Sequence, residues 1–294
     1  MSIVDALTRA KKLAQQNRPV PQPRIEEPVA PVASDVTQVH APLAVPVPPP
    51  PRPAPAIKKI EGARVELDVT TCINSRLLVP GSEETLDRKV ESAFRMLRTR
   101  LLQRARTNGW TTIGVTSAGP NDGKTLTSIN LALSIAREKS NEVFVLDLDM
   151  RNQSVCGALG IVPKNNMREY FEGTVPADDI FMNIGIGNLL VAAGLQNSER
   201  SSELLANAKF EELIDFIKAS SVKPIVIIDL PPVVTTDDAL VLAPRLDAIL
   251  LVTSEGKTAR DQLDRAVDLL SDFRLVGYVL NRSQQAAGGY YGTY

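Results

Sequence analysis

Histidine, cysteine and tryptophan are nearly missing from this chain, and the first two shortages each remove a class of function. The one histidine, His40, lies in a proline-rich stretch, so a histidine-based triad or zinc site has nothing to be built from. Cysteine occurs only as Cys72 and Cys156, too few for a disulfide framework or a metal cluster, which points to a reducing compartment. No run approaches the ~18–20 apolar residues of a transmembrane helix, and the N-terminus has no signal-peptide core. A cytoplasmic chain is expected, peripheral to the inner membrane only through a partner. The net charge of −1 gives no basic excess for general nucleic-acid binding, so nucleic acid is not expected as a partner.

What is present is unevenly spread. A length of 294 residues suggests roughly two domains, but most of the 21 prolines fall between Pro19 and Pro55, leaving one sizeable core beyond them. Residues 1–17 carry an apolar stripe of Ile3, Val4, Leu7, Ala10, Leu13 and Ala14 at helical spacing and read as an amphipathic helix for docking on a partner or an anionic membrane surface. Residues 18–60 read as a proline-rich, disordered linker with a reach of ~120 Å extended or ~35 Å as a coil. A domain over 61–284 and a tyrosine-rich tail over 285–294 complete the division.

The domain is organised around residues 111–125. A β-branched run, Thr111 to Thr116, reads as a buried strand; a loop of turn formers leads to Gly123-Lys124-Thr125, and an apolar-periodic helix follows. Strand, glycine-containing loop, Lys-Thr and helix is the order of a phosphate cradle, with Lys124 reaching the β/γ-phosphates and Thr125 available to Mg²⁺. The usual first glycine is Ala118 here, with glycine displaced to Gly119.

Further strands are expected at Arg76–Val79 (an edge strand), Val143–Leu146, Leu189–Ala192, Pro224–Asp229, Asp247–Thr253 and Val276–Asn281. Helices are expected over Ser82–Arg106, Glu203–Ala219 and, capped by Thr258, on to Leu270. The alternation implies an α/β fold, a doubly wound, mostly parallel sheet with helices on both faces and ligands at the C-terminal strand ends. Asp229 ends one apolar strand in the position of a Walker B carboxylate, and Asp147 and Asp149 end another on one side of it. Two acids beside a metal–nucleotide site suit general-base and metal-positioning work.

On these motifs the chain resembles the bacterial protein-tyrosine kinases (BY-kinases), P-loop NTPases of capsule and exopolysaccharide systems related to the MinD/ParA ATPases. The resemblance rests on the loop 118–125, on Asp147-x-Asp149-x-Arg151, on Asp229 followed by Pro231-Pro232, and on Thr236-Asp237-Asp238-Ala239. Three of the five tyrosines, Tyr290, Tyr291 and Tyr294, fall in the glycine-flanked tail, matching the autophosphorylation cluster of such kinases.

The resemblance implies transfer of the ATP γ-phosphoryl group to tyrosine, with ATP and Mg²⁺ as cofactors. Gly119, Pro120, Asn121, Asp122, Gly123, Lys124, Thr125 and Leu126 would cradle the phosphates, while Asn281 and Arg282 would contact the adenine. Thr125, Asp149 and Asp229 would hold the metal. Lys124, Asp147, Asp149 and Arg151 would be catalytic, Asp147 ranking first as base and Arg151 holding it or the acceptor. Implied partners are a separate membrane adaptor related to chain-length regulators, protein substrates in polysaccharide synthesis, and further copies of the chain. A homo-oligomer would form through an E-x-x-R-x-x-R helix, here with Arg95 and Arg98 in place but Ser92 at the glutamate position and Glu91 one residue early. Three phosphates would add roughly −5 to −6 charges to the tail and loosen such an assembly. The rivals are a MinD/ParA-type switch ATPase without kinase activity, which usually has a second lysine that stretch 117–122 lacks, and a nucleotide-binding assembly module of polysaccharide export.

Overall fold

A computed structural model describes residues 58–80, 88–150, 152, 154–192 and 201–283. The amphipathic stretch 1–17, nearly all of the linker, Arg151 and the tyrosine tail lie outside the described residues. Lys59 pairs with Glu142 at 2.7 Å and Ile60 joins the core, so the last linker residues belong to the fold.

Eight strands form one sheet: β1 (Ala63–Arg64), β2 (Thr112–Ser117), β3 (Glu142–Asp147), β4 (Phe181–Asn183), β5 (Leu189–Ala192), β6 (Pro224–Asp229), β7 (Ala248–Ser254) and β8 (Leu275–Asn281). Their spatial order is β1-β4-β5-β3-β6-β2-β7-β8. Every neighbouring pair is parallel except β4 with β5. The central strands are continuous apolar runs because helices cover both faces of the sheet. Alternation divides their side chains. Ile113, Val115, Val143 and Val145 pack on one face, and Phe144, Leu146, Val226 and Ile228 on the other.

The first face is covered by α1 (Val69–Asn74), α2 (Arg88–Asn108), α3 (Lys124–Ala136) and α4 (Ser154–Leu159). The second is covered by α5 (Met167–Phe171), α6 (Ser201–Leu205), α7 (Lys209–Ala219), α8 (Asp238–Leu242) and α9 (Arg260–Leu269). From β2 the chain crosses to β3 on one side and later to β7 on the other, so the order reverses at β2. A crevice at the C-terminal strand ends of such a switch point is where α/β sheets bind ligands.

Three expectations are corrected. Leu77 to Val79 form no strand; they are a buried coil held by side-chain bonds, Leu78 N–H donating to Asn130 Oδ1 at 2.8 Å and Asn130 Nδ2 to the Arg76 carbonyl at 3.0 Å. The edge position falls to β1 instead. The helix over Glu203–Ala219 is two helices, interrupted at Ala206–Ala208, where Asn207 Oδ1 accepts from Lys209 N–H at 3.3 Å and restarts the chain locally. Thr258 does not cap α9. Its hydroxyl accepts from Ser254 N–H at 2.7 Å, and Gln262 Oε1 takes the Ala259 N–H at 3.3 Å. The described part of α2 runs two residues past Arg106, and its Arg98 is engaged within the chain, pairing with Glu138 at 3.3 Å and donating to the Ser134 carbonyl at 3.0 Å. Glu91, one residue early in the E-x-x-R-x-x-R pattern, pairs with Arg137 of the same chain at 2.5 Å.

The start of β2 is tied to the start of β7 by one carboxylate. Asp247 Oδ2 accepts from Thr111 N–H, Thr112 N–H and the Thr112 hydroxyl at 2.7, 2.8 and 3.0 Å. Partial burial would raise its pKa, but the bonds from Thr112 and Thr111 outweigh that and hold it below the ordinary carboxylate value. Asp247→Ala leaves those donors without an acceptor and is expected to destabilise by about 1–3 kcal/mol at neutral pH. A depressed pKa stabilises above the unfolded value of about 3.9 and loses that effect as pH falls through the folded value. Urea titrations of both proteins should therefore converge in acid; an equal gap at all pH values would count against the carboxylate.

Candidate active site

Three neighbouring strand ends build the site. The phosphate loop leaves β2, Asp229 ends β6, and Asp147 ends β3 in direct register with Asp229. The loop is stapled by its own polar groups: Ser117 Oγ donates to the Gly119 carbonyl at 2.7 Å, and buried Asp122 accepts the Gly119 N–H at 2.8 Å. Asn121 and Gly123 turn the chain with φ of 58° and 95°. At Gly123 a Cβ would stand 2.0 Å from Asn281 Nδ2, so glycine is required for both space and conformation. Ala118 needs neither. Its φ is not positive, its N–H bonds the Val252 carbonyl at 3.3 Å, and its methyl packs in the core. The missing glycine is thereby explained.

Lys124 opens α3, whose free N-terminal amides suit an anion. Its ammonium lies 2.6 Å from Asp149 Oδ2 and 3.4 Å from Asp229 Oδ2. Asp229 also accepts the Thr125 hydroxyl at 2.7 Å and the Ser128 hydroxyl at 3.0 Å. Thr125 Oγ1 is 2.8 Å from Ser154 Oγ, which ties the loop to α4. Asp147 takes two backbone donors, Asp149 N–H and Val155 N–H, each at 3.2 Å. Both acids of the Asp147/Asp149 pair thus enter the cluster, while Leu148 and Met150 point into the opposite core.

The charges do not balance. Lys124, Asp147, Asp149 and Asp229 are all buried, giving three carboxylates to one ammonium. Burial would lower the Lys124 pKa, but Asp229 and then Asp149 outweigh it and raise it above its usual value. Burial, followed by repulsion from Asp229, drives Asp147 well above the carboxylate range. Burial raises Asp229 too, against the pull of Lys124. A pocket this short of positive charge fits a divalent cation. Among the described residues no three carboxylate, cysteine or histidine groups are placed to hold a metal alone.

The residues expected at the adenine hold the loop from the β8 side. Asn281 Nδ2 donates to the Asp122 carbonyl at 2.8 Å and Arg282 to the Asn121 carbonyl at 3.1 Å. Lys257, which the sequence did not single out, joins them on Asn121 O at 3.2 Å. Leu126 packs its side chain against the core, leaving only its backbone for a phosphate. Pro120 and Asn121 border a cavity of about 260 Å³ with Lys124 and Asp149, facing Pro231, Pro232, Thr235 and Thr236. Ser128 and Ser154 were also missed; the former lies four residues after Lys124, one helical turn along the same face, and could have been found from that spacing.

A family model described as ParA, NUBPL iron-transfer P-loop NTPase, matches residues 110–288. Tyrosine-protein kinase CpsD of Streptococcus agalactiae is 28% identical over 227 residues, covering 75% of this chain and 96% of that protein. CpsD of Streptococcus pneumoniae serotype 4 is 31% identical over 173 residues, 58% of this chain and 75% of the other. The chain belongs to the bacterial tyrosine-kinase family of ParA-type P-loop NTPases. The kinase domain of the Escherichia coli tyrosine kinase ETK superposes on this member with a TM-score of 0.59 at 25% identity, over 68% of this chain and 80% of that one. Membership brings nucleotide binding with a divalent metal, in keeping with the charge deficit around Lys124.

Gly123→Ala is expected to abolish nucleotide binding while the sheet stays folded, because it displaces Asn281 and forbids the loop conformation. Fluorescent-nucleotide titration alongside circular dichroism checks this, and undiminished affinity would contradict the required geometry.

Proposed function

We propose that this chain is an ATP-dependent protein-tyrosine autokinase that phosphorylates a tyrosine tail between subunits and thereby regulates capsule or exopolysaccharide polymerisation and export. The observation that carries the reading is the second acid pair. Asp149 pairs with Lys124 beside an open cavity while Asp147 ends the neighbouring strand in register with Asp229, an arrangement that a mere nucleotide-binding wall does not need. The kinases CpsD and ETK support it by likeness.

In the proposed reaction the backbone from Gly119 to Thr125 and the start of α3 hold the phosphates of ATP. Thr125, Asp149 and Asp229 would hold Mg²⁺, which would draw negative charge from the phosphate oxygens. Lys124 turns from Asp149 to the transferred group and stabilises its charge. The tyrosine oxygen bonds to the γ-phosphorus, the bond from that phosphorus to the ADP oxygen breaks, and the phenolic proton passes to a carboxylate. That carboxylate is Asp149, which borders the cavity. Asp147 is fully buried with both oxygens on backbone N–H groups, so it orients the Asp149 loop. This reverses the order that sequence alone suggested. Arg151 and the acceptors Tyr290, Tyr291 and Tyr294 lie outside the described residues and keep their proposed roles from the motif.

Purified protein incubated with Mg-ATP should gain phosphotyrosine at Tyr290, Tyr291 or Tyr294 by mass spectrometry. Lys124→Met should reduce the rate by about 10²–10³-fold, the usual loss of one charge-stabilising donor. The ParA family match supports a second reading, a switch ATPase; steady ATP hydrolysis without phosphotyrosine would select it.

A separate membrane adaptor is the proposed partner, docked through residues 1–17. Deleting residues 1–57 should keep nucleotide affinity and abolish co-purification with that adaptor; retained co-purification would remove the docking role. Homo-oligomerisation through α2, loosened by tail phosphorylation, completes the proposal. Light scattering before and after Mg-ATP should show a smaller species after it.

A further inference from the structure

Where the phosphate loop touches α4, two hydroxyls have more acceptors around them than protons to give. Thr125 Oγ1 lies 2.7 Å from Asp229 Oδ2 and 2.8 Å from Ser154 Oγ, and Lys124 Nζ donates to it at 3.2 Å. Ser154 Oγ has a second neighbour, the Asn152 carbonyl, at 3.0 Å. Each hydroxyl carries one proton. The Asp229 carboxylate claims that of Thr125, because a hydrogen bond to an ionised acceptor is about twice as strong as one to a neutral oxygen. The Ser154 proton is then left with two acceptors, Thr125 Oγ1 and the Asn152 carbonyl, and can serve only one of them.

Occupancy of the site decides which. In the reading above Thr125 Oγ1 is given to a divalent cation, and a proton aimed at a metal-bound oxygen is repelled by the charge behind it. Ser154 then keeps the Asn152 carbonyl alone. Rotation of its side chain is enough for the exchange, because the backbone beside it is pinned: Val155 N–H is held by the buried Asp147 carboxylate at 3.2 Å.

Asn152 belongs to the turn that carries Asp149. Its N–H donates to the Asp149 carbonyl at 3.2 Å and to Asp149 Oδ1 at 3.1 Å, while Asp149 Oδ2 meets Lys124 at 2.6 Å. When Lys124 turns to the phosphates, Asp149 loses that tether, and a bond from Ser154 to the Asn152 carbonyl replaces it from the other end of the turn. We infer that Ser154 is a positioning residue whose hydroxyl passes from Thr125 to Asn152 when the metal–nucleotide complex binds, so that the Asp149 turn is fixed only in a loaded site. This rests on the kinase reading above and adds to it the residue that couples its metal side to its acid side.

Hydrogen exchange of the full chain, read by mass spectrometry, tests the coupling by comparing ADP with excess Mg²⁺ against ADP with EDTA. Mg²⁺ should slow exchange both in peptides over the phosphate loop, 117–127, and in peptides over the Asp149 turn, 148–156. Ser154→Ala should keep the first effect and lose the second, and Ser154→Thr, which restores the hydroxyl, should regain it. At saturating Mg-ATP, Ser154→Ala should lower kcat for tyrosine phosphorylation about fivefold, the worth of one net hydrogen bond, with KM for ATP unchanged. The coupling is overturned by an absence of Mg²⁺-dependent slowing at 148–156 in the parent protein, by equal slowing there in Ser154→Ala, or by an unchanged kcat. Slowing at 148–156 that requires Ser154, in a parent protein that makes no phosphotyrosine, supports the coupling and removes the kinase reading instead.

Discussion

The contact between Lys124 and the buried carboxylates of Asp149 and Asp229 is the constraint on which the rest of the site depends. Charges this deep in a protein are tolerated only when paired and hydrogen-bonded. Here one ammonium serves three acids, and the remaining demand is met by hydroxyls and backbone amides: Thr125 and Ser128 on Asp229, Asp149 and Val155 N–H on Asp147. Remove Lys124 and the acids have no counter-charge. Supply a divalent cation and phosphates, and Lys124 is released from Asp149 to meet them. The same imbalance that strains the free cluster makes it receptive to a metal–nucleotide complex.

That cluster exists because of the sheet. Residues more than a hundred positions apart become neighbours when β2, β6 and β3 lie side by side with their C-terminal ends level. Asp229 sits between the strand that launches the phosphate loop and the strand that delivers Asp147. The apolar alternation that anchors these strands to both helical layers also sets which way their last side chains point. Core packing and site geometry are one problem here, and a register slip of one residue would turn the acids into the core.

Much of this was legible in the sequence because strand-end chemistry is local. Asp229 after four apolar residues, Asp147 and Asp149 at alternate positions, and Lys124 before an apolar-periodic helix each announce themselves within ten residues. What escaped was set by contacts across the fold. The stretch Leu77–Val79 has strand composition, but its backbone is satisfied by the Asn130 side chain from α3. Thr258 stands where a cap belongs, yet Ser254 N–H takes its hydroxyl. Asp147 and Asp149 look equivalent in the chain and both are buried; only the fold puts Asp149, and not Asp147, on the border of the cavity.

The Ala118 departure shows how a motif should be weighed by its geometry. A glycine is demanded where φ is positive or where another group comes too close. Position 118 meets neither condition, whereas Gly123 meets both, with Asn281 packed where its side chain would be. The requirement belongs to the residue before Lys124, because the chain must turn left-handed there to aim the first amides of α3 at one point. Asn281, at the end of β8, then locks that turn by holding the Asp122 carbonyl. A strand far along the chain thus holds the loop from outside, so the geometry of the phosphate cradle depends on β8 as well as on the strand that launches it.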